Sequence, residues 1–384
     1  DAQCLQTDSI QRGIGRYSLR LVSALAEEFP DCHLTLLLNR ISDPRWNALL
    51  ESDLLRSSRG RLSTLYFDTP NSRQVQFAQA RRSAEASRER VILEAGADAV
   101  LILSAFQRSR ETILATRSLT ADLPTFAVLY DLIPLHYPRH FLYTPSLKSS
   151  YQQRLQVLRD CDGLLAISKA TADDWHETVG GQPDVVVIGG SSESSPSSNA
   201  VPLASRRGVL ALGAETPNKN LGVLLQAHAS LPTDLQLAHP LTITGIRSDG
   251  FRRHLLSTYK GHPRGINVPG YISDRRVATL LTCSRLLVMP SLMEGLGLPV
   301  LEGAAAGTPC LVATGSSLSE LITDPEAQFP PDNAQILSEK LSGTLTDNAQ
   351  WRRMQQRSRN NLQGTSWSTV SKRAYDTLLG RLSP

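Results

Sequence analysis

No stretch of this chain approaches the ~18 consecutive apolar residues that a membrane-spanning helix requires, and no signal-peptide pattern is legible in it. The cysteines, Cys4, Cys32, Cys161, Cys283 and Cys310, are odd in number and have no close pairs, which argues against a disulfide framework. Several sit in apolar contexts that predict burial, and a reduced cytoplasm is their simplest home. No His or Cys spacing points to zinc. Charge of one sign is scarce too: 40 Lys and Arg against 36 Asp and Glu leave a net charge of +4. That excess is too small to argue for nucleic acid, and no aromatic-basic pattern supports such a partner. It lies after about residue 200, the earlier part being close to neutral, which suits an anionic ligand in the second half. No internal repeat shorter than a domain appears.

What is present is an alternation. At 384 residues the chain is long for one domain, and its 41% hydrophobic content suffices for ordinary cores. Short apolar runs, Leu34 to Leu38, Ala99 to Leu103, Thr125 to Leu129, Gly163 to Ile167 and Val185 to Ile188, read as strands separated by helical stretches. The alternation breaks in the Gly-, Ser- and Pro-rich stretch from Gly189 to Ser198, which cannot bury a core and reads as a linker. It restarts with Val209 to Leu212, Leu241 to Thr244, Asn267-Val268, Leu286 to Met289 and Cys310 to Ala313. Such alternation predicts parallel sheets with helices on both faces. The chain opens at Asp1 with no strand ahead of it, which points to sequence upstream and to a module of a longer polypeptide.

Ligands in sheets of this kind bind outside the carboxyl ends of the strands, and the most informative such place is Glu294-Gly-Leu-Gly-Leu-Pro-Val-Leu-Glu302. A strand ending at Pro290-Ser291, a turn punctuated by Gly295 and Gly297 and a helix from about Pro299 put backbone N–H groups at a helix N-terminus. Such an end attracts phosphate, while the two carboxylates accept hydroxyl protons at different distances from it. A nucleotide sugar fits that description. The plainer reading makes Glu294 a turn cap and Glu302 a solvated helical residue.

The chain resembles the family 4 retaining glycosyltransferases. The matching segments are Gly13-Ile-Gly-Arg-Tyr17, Asp131-Leu-Ile-Pro-Leu135, Ala166-Ile-Ser-Lys-Ala170, Asn218-Lys-Asn220, Gly270-Tyr-Ile-Ser-Asp274 and Pro290 to Glu302. Coverage is nearly the whole chain, Gly270 to Leu321 is the most specific part, and Asp131 to Leu135 looks like the branch that builds bacterial polysaccharides, often with mannose donors. The resemblance implies the α/β GT-B fold, two doubly wound Rossmann-like domains facing a central cleft. It divides the chain into an acceptor-side domain at 1–188, its first strand truncated, a linker at 189–205, a nucleotide-sugar domain at 206–365 and a C-terminal helix at 366–384 crossing back to the first domain.

The resemblance also assigns roles. Glu302 would hold the nucleotide ribose hydroxyls, Glu294 would face the transferred sugar, and Gly295, Leu296 and Gly297 would present amides to sugar or diphosphate. Lys219 would neutralise the departing diphosphate. Gly13 and Gly15 would let backbone approach the donor from the first domain, Gly270 and Tyr271 would lie beside the nucleobase, and Asp131 near the acceptor or the sugar. Tyr130, His136 and Ser168 fall on the acceptor side. Neither cofactor nor metal is implied; the donor, with GDP-mannose the first choice, is a substrate. The acceptor would be a glycan or a lipid-linked saccharide, and the place of work the cytoplasm or the inner face of its membrane.

Two positions depart from the family pattern. Tyr130 stands where a His is common, and Ala214 where many members carry Arg, with Arg206, Arg207 or Arg247 as candidate replacements. These departures motivate the rival reading, a catalytically inactive nucleotide-sugar or glycan-binding module of a larger protein. A dinucleotide-dependent oxidoreductase fares worse: Ser18 stands in place of the third glycine after Gly13-Ile-Gly15, and no ribose-binding acid follows the strand that ends near Asn39-Arg40. Asp160-Cys161-Asp162 precedes its strand, the wrong end for a metal-binding Asp-x-Asp. His136 and His140 are separated by Pro138, which breaks a shared helical face. Trp367, Val370, Ala374, Tyr375, Leu378 and Leu379 form one stripe of a last helix. Arg352, Arg353, Arg357 and Arg359 read as a solvated face, or as one turned to a membrane carrying the acceptor.

Overall fold

The computed structural model describes residues 1–7, 10, 13–40, 62–68, 78–106, 123–192, 201–362 and 365–380. Two compact units emerge, Asp1–Leu132 with Leu142–Gly190 and Ser366–Pro384 in the first, Ile133–Phe141 with Ser191–Thr365 in the second. Most of the expected linker, 193–200, lies outside the described residues, as does the chain end at 381–384.

In chain order, α1 (Gly13–Glu28) leads to β1 (Leu34–Asn39) and β2 (Leu62–Phe67), and α2 (Ala78–Glu94) to β3 (Val100–Ile102) and β4 (Thr125–Leu129). Two short turns, α3 (Ile133–His136) and α4 (Pro138–Phe141), precede α5 (Pro145–Arg159), β5 (Gly163–Ala166), α6 (Lys169–Thr178) and β6 (Asp184–Val187). Strands β3-β4-β5-β6 form one parallel sheet, and β1 pairs β2 in parallel. The opening residues lie between these pieces: Ala2 N donates to Leu37 O, and Leu103 N donates to Asp1 O. Strand β4 is buried along its whole length and so is β5, as expected of strands covered on both faces. Strand β2 was not legible in the sequence. Ser63 and Thr64 interrupt its apolar run and its middle is only half-buried, so only its pairing with β1 identifies it.

The second unit runs β7 (Val209–Leu212), α7 (Leu221–Ala229), α8 (Thr233–Ala238), β8 (Leu241–Thr244), α9 (Asp249–Thr258), β9 (Ile266–Gly270), α10 (Asp274–Cys283) and β10 (Leu286–Met289). It continues with α11 (Leu298–Ala305), β11 (Cys310–Ala313), α12 (Ser317–Leu321), β12 (Gln328–Phe329), α13 (Ala334–Thr346) and α14 (Asn348–Asn360). Its six strands are parallel in the order β12-β11-β10-β7-β8-β9. The chain builds outward from β7 through β8 to β9, then returns to the other side of β7 with β10. That reversal is a topological switch point, where the loops after β7 and β10 part to opposite faces and leave a crevice. Leu210, Ala211, Leu224, Ile243, Leu287, Val288, Leu311 and Leu341 are fully buried around this sheet.

The last helix, α15 (Trp367–Leu379), packs against α1 within the first unit. The Trp367 ring meets Tyr17 edge-on at 5.0 Å, and Tyr375 stacks on Phe29 at 3.8 Å. Val370 and Ala374 are buried as the stripe predicted, whereas Leu379 is 40% exposed. All five cysteines are free, with Cys4, Cys161 and Cys310 buried. Among the described residues, no helix is long and apolar enough to cross a membrane.

Candidate nucleotide-sugar site

At the switch point, the turns after β7 and β10 are stitched together by two asparagines. Leu292 N donates to Asn218 O at 2.7 Å, and Asn218 Nδ2 returns a bond to Met293 O at 3.0 Å. Asn220 takes the left-handed conformation, φ +48°, and its Nδ2 bridges Pro290 O and Pro331 O. Asparagine tolerates that conformation better than most residues, so Pro217-Asn218-Lys219-Asn220 forms a tight turn that projects Lys219. Sequence reasoning gave a role to Lys219 alone. Asn220, a turn-prone residue two places beyond Asn218, was the signal for the scaffold.

The stitching brings the two predicted charged residues together. Lys219 Nζ donates to Glu294 Oε1 at 2.5 Å, with the two side chains 20% and 13% exposed. The backbone of Glu294 is held from the other side, its carbonyl accepting from Ser317 Oγ at 2.8 Å. Ser291 Oγ and Asn218 Oδ1, close by in the same turns, are buried polar atoms with no hydrogen-bond partner among the described residues.

The helix expected after this turn begins at Leu298, and Glu302 stands half-buried in its second turn. Gly297 has φ +99°, and a Cβ there would come within 2.7 Å of Leu318 Cδ2, so the turn requires glycine. Gly295, Leu296 and Gly297 are themselves buried. The Lys219–Glu294 pair and Glu302 are only partly buried beside this turn.

Beside β7, the sheet's edge is cleared by three strand-end glycines. Gly245, φ +93°, approaches Gly213 so closely that a Cβ would lie 2.5 Å from Gly213 O, and Gly245 N donates to Gly270 O at 2.9 Å. Beyond Gly245, the backbone N–H groups of Arg247 and Ser248 both donate to Glu215 Oε1 at 2.6 Å. The Arg247 guanidinium lies 4.6 Å from the centroid of Tyr271, an exposed ring just past β9.

Of the three arginines that could compensate Ala214, two lie at the amino end of the sheet. Arg206 is fully buried before β7, where Val201 O, Ser284 O, Thr308 Oγ1 and Ala306 O accept its N–H groups. Arg207 donates to Ala204 O and Arg206 O in the same segment. Only Arg247 follows a strand.

In the first unit the predicted residues are placed less openly. Gly13 and Gly15 fall in the first turn of α1 rather than in a loop, with Gly15 buried. Tyr130 is buried beside Tyr17, its hydroxyl bonded to Ser18 Oγ at 2.7 Å and near Ile14 O. Burial pushes its phenol pKa well up, so the hydroxyl is neutral and committed inside the fold. Ser168 is buried as the N-cap of α6, accepting from Thr171 N at 3.0 Å. Asp131 is half-buried just past β4, whereas His136, in the 133–141 segment that groups with the second unit, is exposed at the end of α3. Asp162 accepts from Thr125 N at 2.8 Å, a structural role at the amino end of β4. Arg357 pairs with Asp324 and Glu326, so that member of the basic set is already matched by acids. Among the described residues, no three His, Cys, Asp or Glu side chains group as a metal site.

A parallel sheet with a cation and a carboxylate joined at its switch point defines an α/β ligand-binding unit, and comparison with known proteins narrows the class. Residues 202–361 match the family Glycosyl transferases group 1. Over 98% of its length the chain is 26% identical to the serotype-specific mannosyltransferase WbdA of Escherichia coli, covering 47% of that protein. It is 32% identical to the O-antigen chain mannosyltransferase B of Escherichia coli over 37% of the chain and 38% of the relative. The chain thus spans less than half the length of WbdA. Anabaena HepE, solved with UDP and glucose, shares the fold with a TM-score of 0.66 at 15% identity, over 94% of this chain and 96% of its own. The GT-B fold, the match of residues 202–361 to the group 1 glycosyltransferases and the similarity to two mannosyltransferases thus point to the same class.

Proposed function

We propose that the chain transfers a hexose, mannose as first choice, from a nucleoside-diphosphate sugar to a hydroxyl of a glycan or lipid-linked acceptor, with retention of anomeric configuration, in bacterial polysaccharide synthesis. The observation that carries this reading is the Lys219–Glu294 pair at the switch point. An ammonium has three N–H donors, and Glu294 takes one of Lys219's. Two remain to meet the negative charge that grows on the leaving phosphate as the glycosidic bond breaks. A fixed donor aimed at such charge is worth roughly 3 to 4 kcal/mol.

Glu294, ionised, keeps acceptor sites for hydroxyls of the sugar, and Glu302 offers a second carboxylate for the ribose. Asp131, just past a first-unit strand, is assigned to the acceptor or the sugar. No carboxylate is assigned as a covalent nucleophile. The acceptor hydroxyl then attacks from the face the phosphate leaves, which retains configuration. Mannose is favoured by the activities for which the two Escherichia coli relatives are named. The presence of both cation and carboxylate, paired, favours an enzyme over an inactive binding module.

Incubating the protein with GDP-mannose, other GDP- and UDP-hexoses and a panel of oligosaccharide acceptors, with products read by mass spectrometry and NMR, tests this. An α-linked product formed from an α-configured donor supports the proposal. Tight donor binding without transfer across the whole panel would favour the module instead.

A further inference from the structure

We propose that Arg247, braced on Tyr271, reads the nucleobase and selects guanine over uracil; this deepens the reading above and rests on it. The argument begins with position. Hydrogen-bonded strands lie about 4.8 Å apart, so Tyr271, past β9, is two strand spacings, roughly 10 Å, from the β7 turn that carries Lys219. With the diphosphate at Lys219, that is the order of distance at which a nucleoside's base lies. The three glycines at the ends of β7, β8 and β9 clear the edge between the two places of side chains.

Arg247 is also prepared for recognition. Its backbone is pinned by Glu215, and its guanidinium is laid against the Tyr271 ring at 4.6 Å. It makes no ion pair among the described residues, so its N–H groups are not spent on a carboxylate. A guanidinium fork matches the adjacent O6 and N7 acceptors of guanine with two parallel bonds, whereas uracil presents a single carbonyl on the corresponding edge. An aromatic face that fixes the plane of the fork turns a mobile surface arginine into a directional donor.

Calorimetric titration of GDP and of UDP into the parent protein, Arg247→Ala, Arg247→Lys, Tyr271→Phe and Tyr271→Ala tests the inference. The parent should prefer GDP. Arg247→Ala should weaken GDP about tenfold or more while leaving UDP within about threefold. Arg247→Lys should not restore the preference, because an ammonium lacks the fork. Tyr271→Phe should behave as the parent and Tyr271→Ala as Arg247→Ala, since only the first keeps the ring. Melting temperatures without ligand should hardly change, Arg247 and Tyr271 being exposed. Equal losses for GDP and UDP in Arg247→Ala, no loss at all, or a parent indifferent to the base would each overturn this proposal while leaving the nucleotide site standing. A parent that binds neither nucleotide would overturn the site itself.

Discussion

Lys219 and Glu294 are 75 residues apart in sequence and 2.5 Å apart in the fold. Glu294 stands out in the sequence for its place beyond a strand, and the family resemblance singles out Lys219. Their pairing was not legible, because it depends on Asn218 and Asn220 tying two distant turns. Lys219→Ala should lower kcat/KM by about 10²- to 10³-fold with little change in melting temperature, measured by initial-rate transfer and thermal unfolding; activity within threefold of the parent would contradict the role. Glu294→Gln should reduce transfer more than donor affinity, and equal losses in rate and calorimetric binding would count against it. At the amino end of the same sheet, His239 carries a pH dependence. Burial, then the nearby cations Arg285 and Arg207, push its pKa from 6.5 down to about 4. The unfolded chain takes up the proton near pH 6.5 and the folded one resists until about 4. Stability is therefore full above pH 6.5 and falls as the pH drops toward 4. Urea unfolding across that window should show the decline, and His239→Gln should flatten it.

Among elements, the second-unit strands were the most legible, because β7, β10 and β11 are continuous apolar runs and the apolar residues of β8 are fully buried. The two-residue β12 and the polar-interrupted β2 escaped, since pairing rather than composition makes them strands. Gly13-Ile-Gly15 reads as a turn in isolation. It is helical here because α1 begins at Gly13 and buries Gly15, Tyr17 and Leu21. A strand-end glycine and a helical one give a paired test. Gly245→Ala should destabilise by more than about 1 kcal/mol, since φ is positive and Gly213 O blocks the methyl. Gly222→Ala, in α7 with nothing within 4 Å, should instead stabilise by about 0.5 to 1 kcal/mol. Trp367→Ala, removing the ring that α15 sets against Tyr17, should cost about 3 kcal/mol by thermal unfolding.

At the scale of the whole molecule, the sequence pattern gave two parallel α/β units, and the strand order explains why the second has its site where it does. A sheet that reverses direction beside β7 opens one crevice at its carboxyl edge, and Lys219 and Glu294 meet on it. The first unit holds the β1–β2 pair, a four-stranded parallel sheet and the α15–α1 packing, with its candidate acceptor residues partly consumed by structure: Tyr130 in a buried hydroxyl pair, Ser168 in a helix cap. The chain covers 47% of WbdA, so the activity carried over from that longer protein is a proposal for this chain. Hydrogen–deuterium exchange with and without GDP-mannose addresses the central claim most directly. The account predicts protection concentrated in residues 213–220, 244–248 and 290–297; no protection, or protection confined to segments away from the carboxyl ends of β7, β8 and β10, would contradict it.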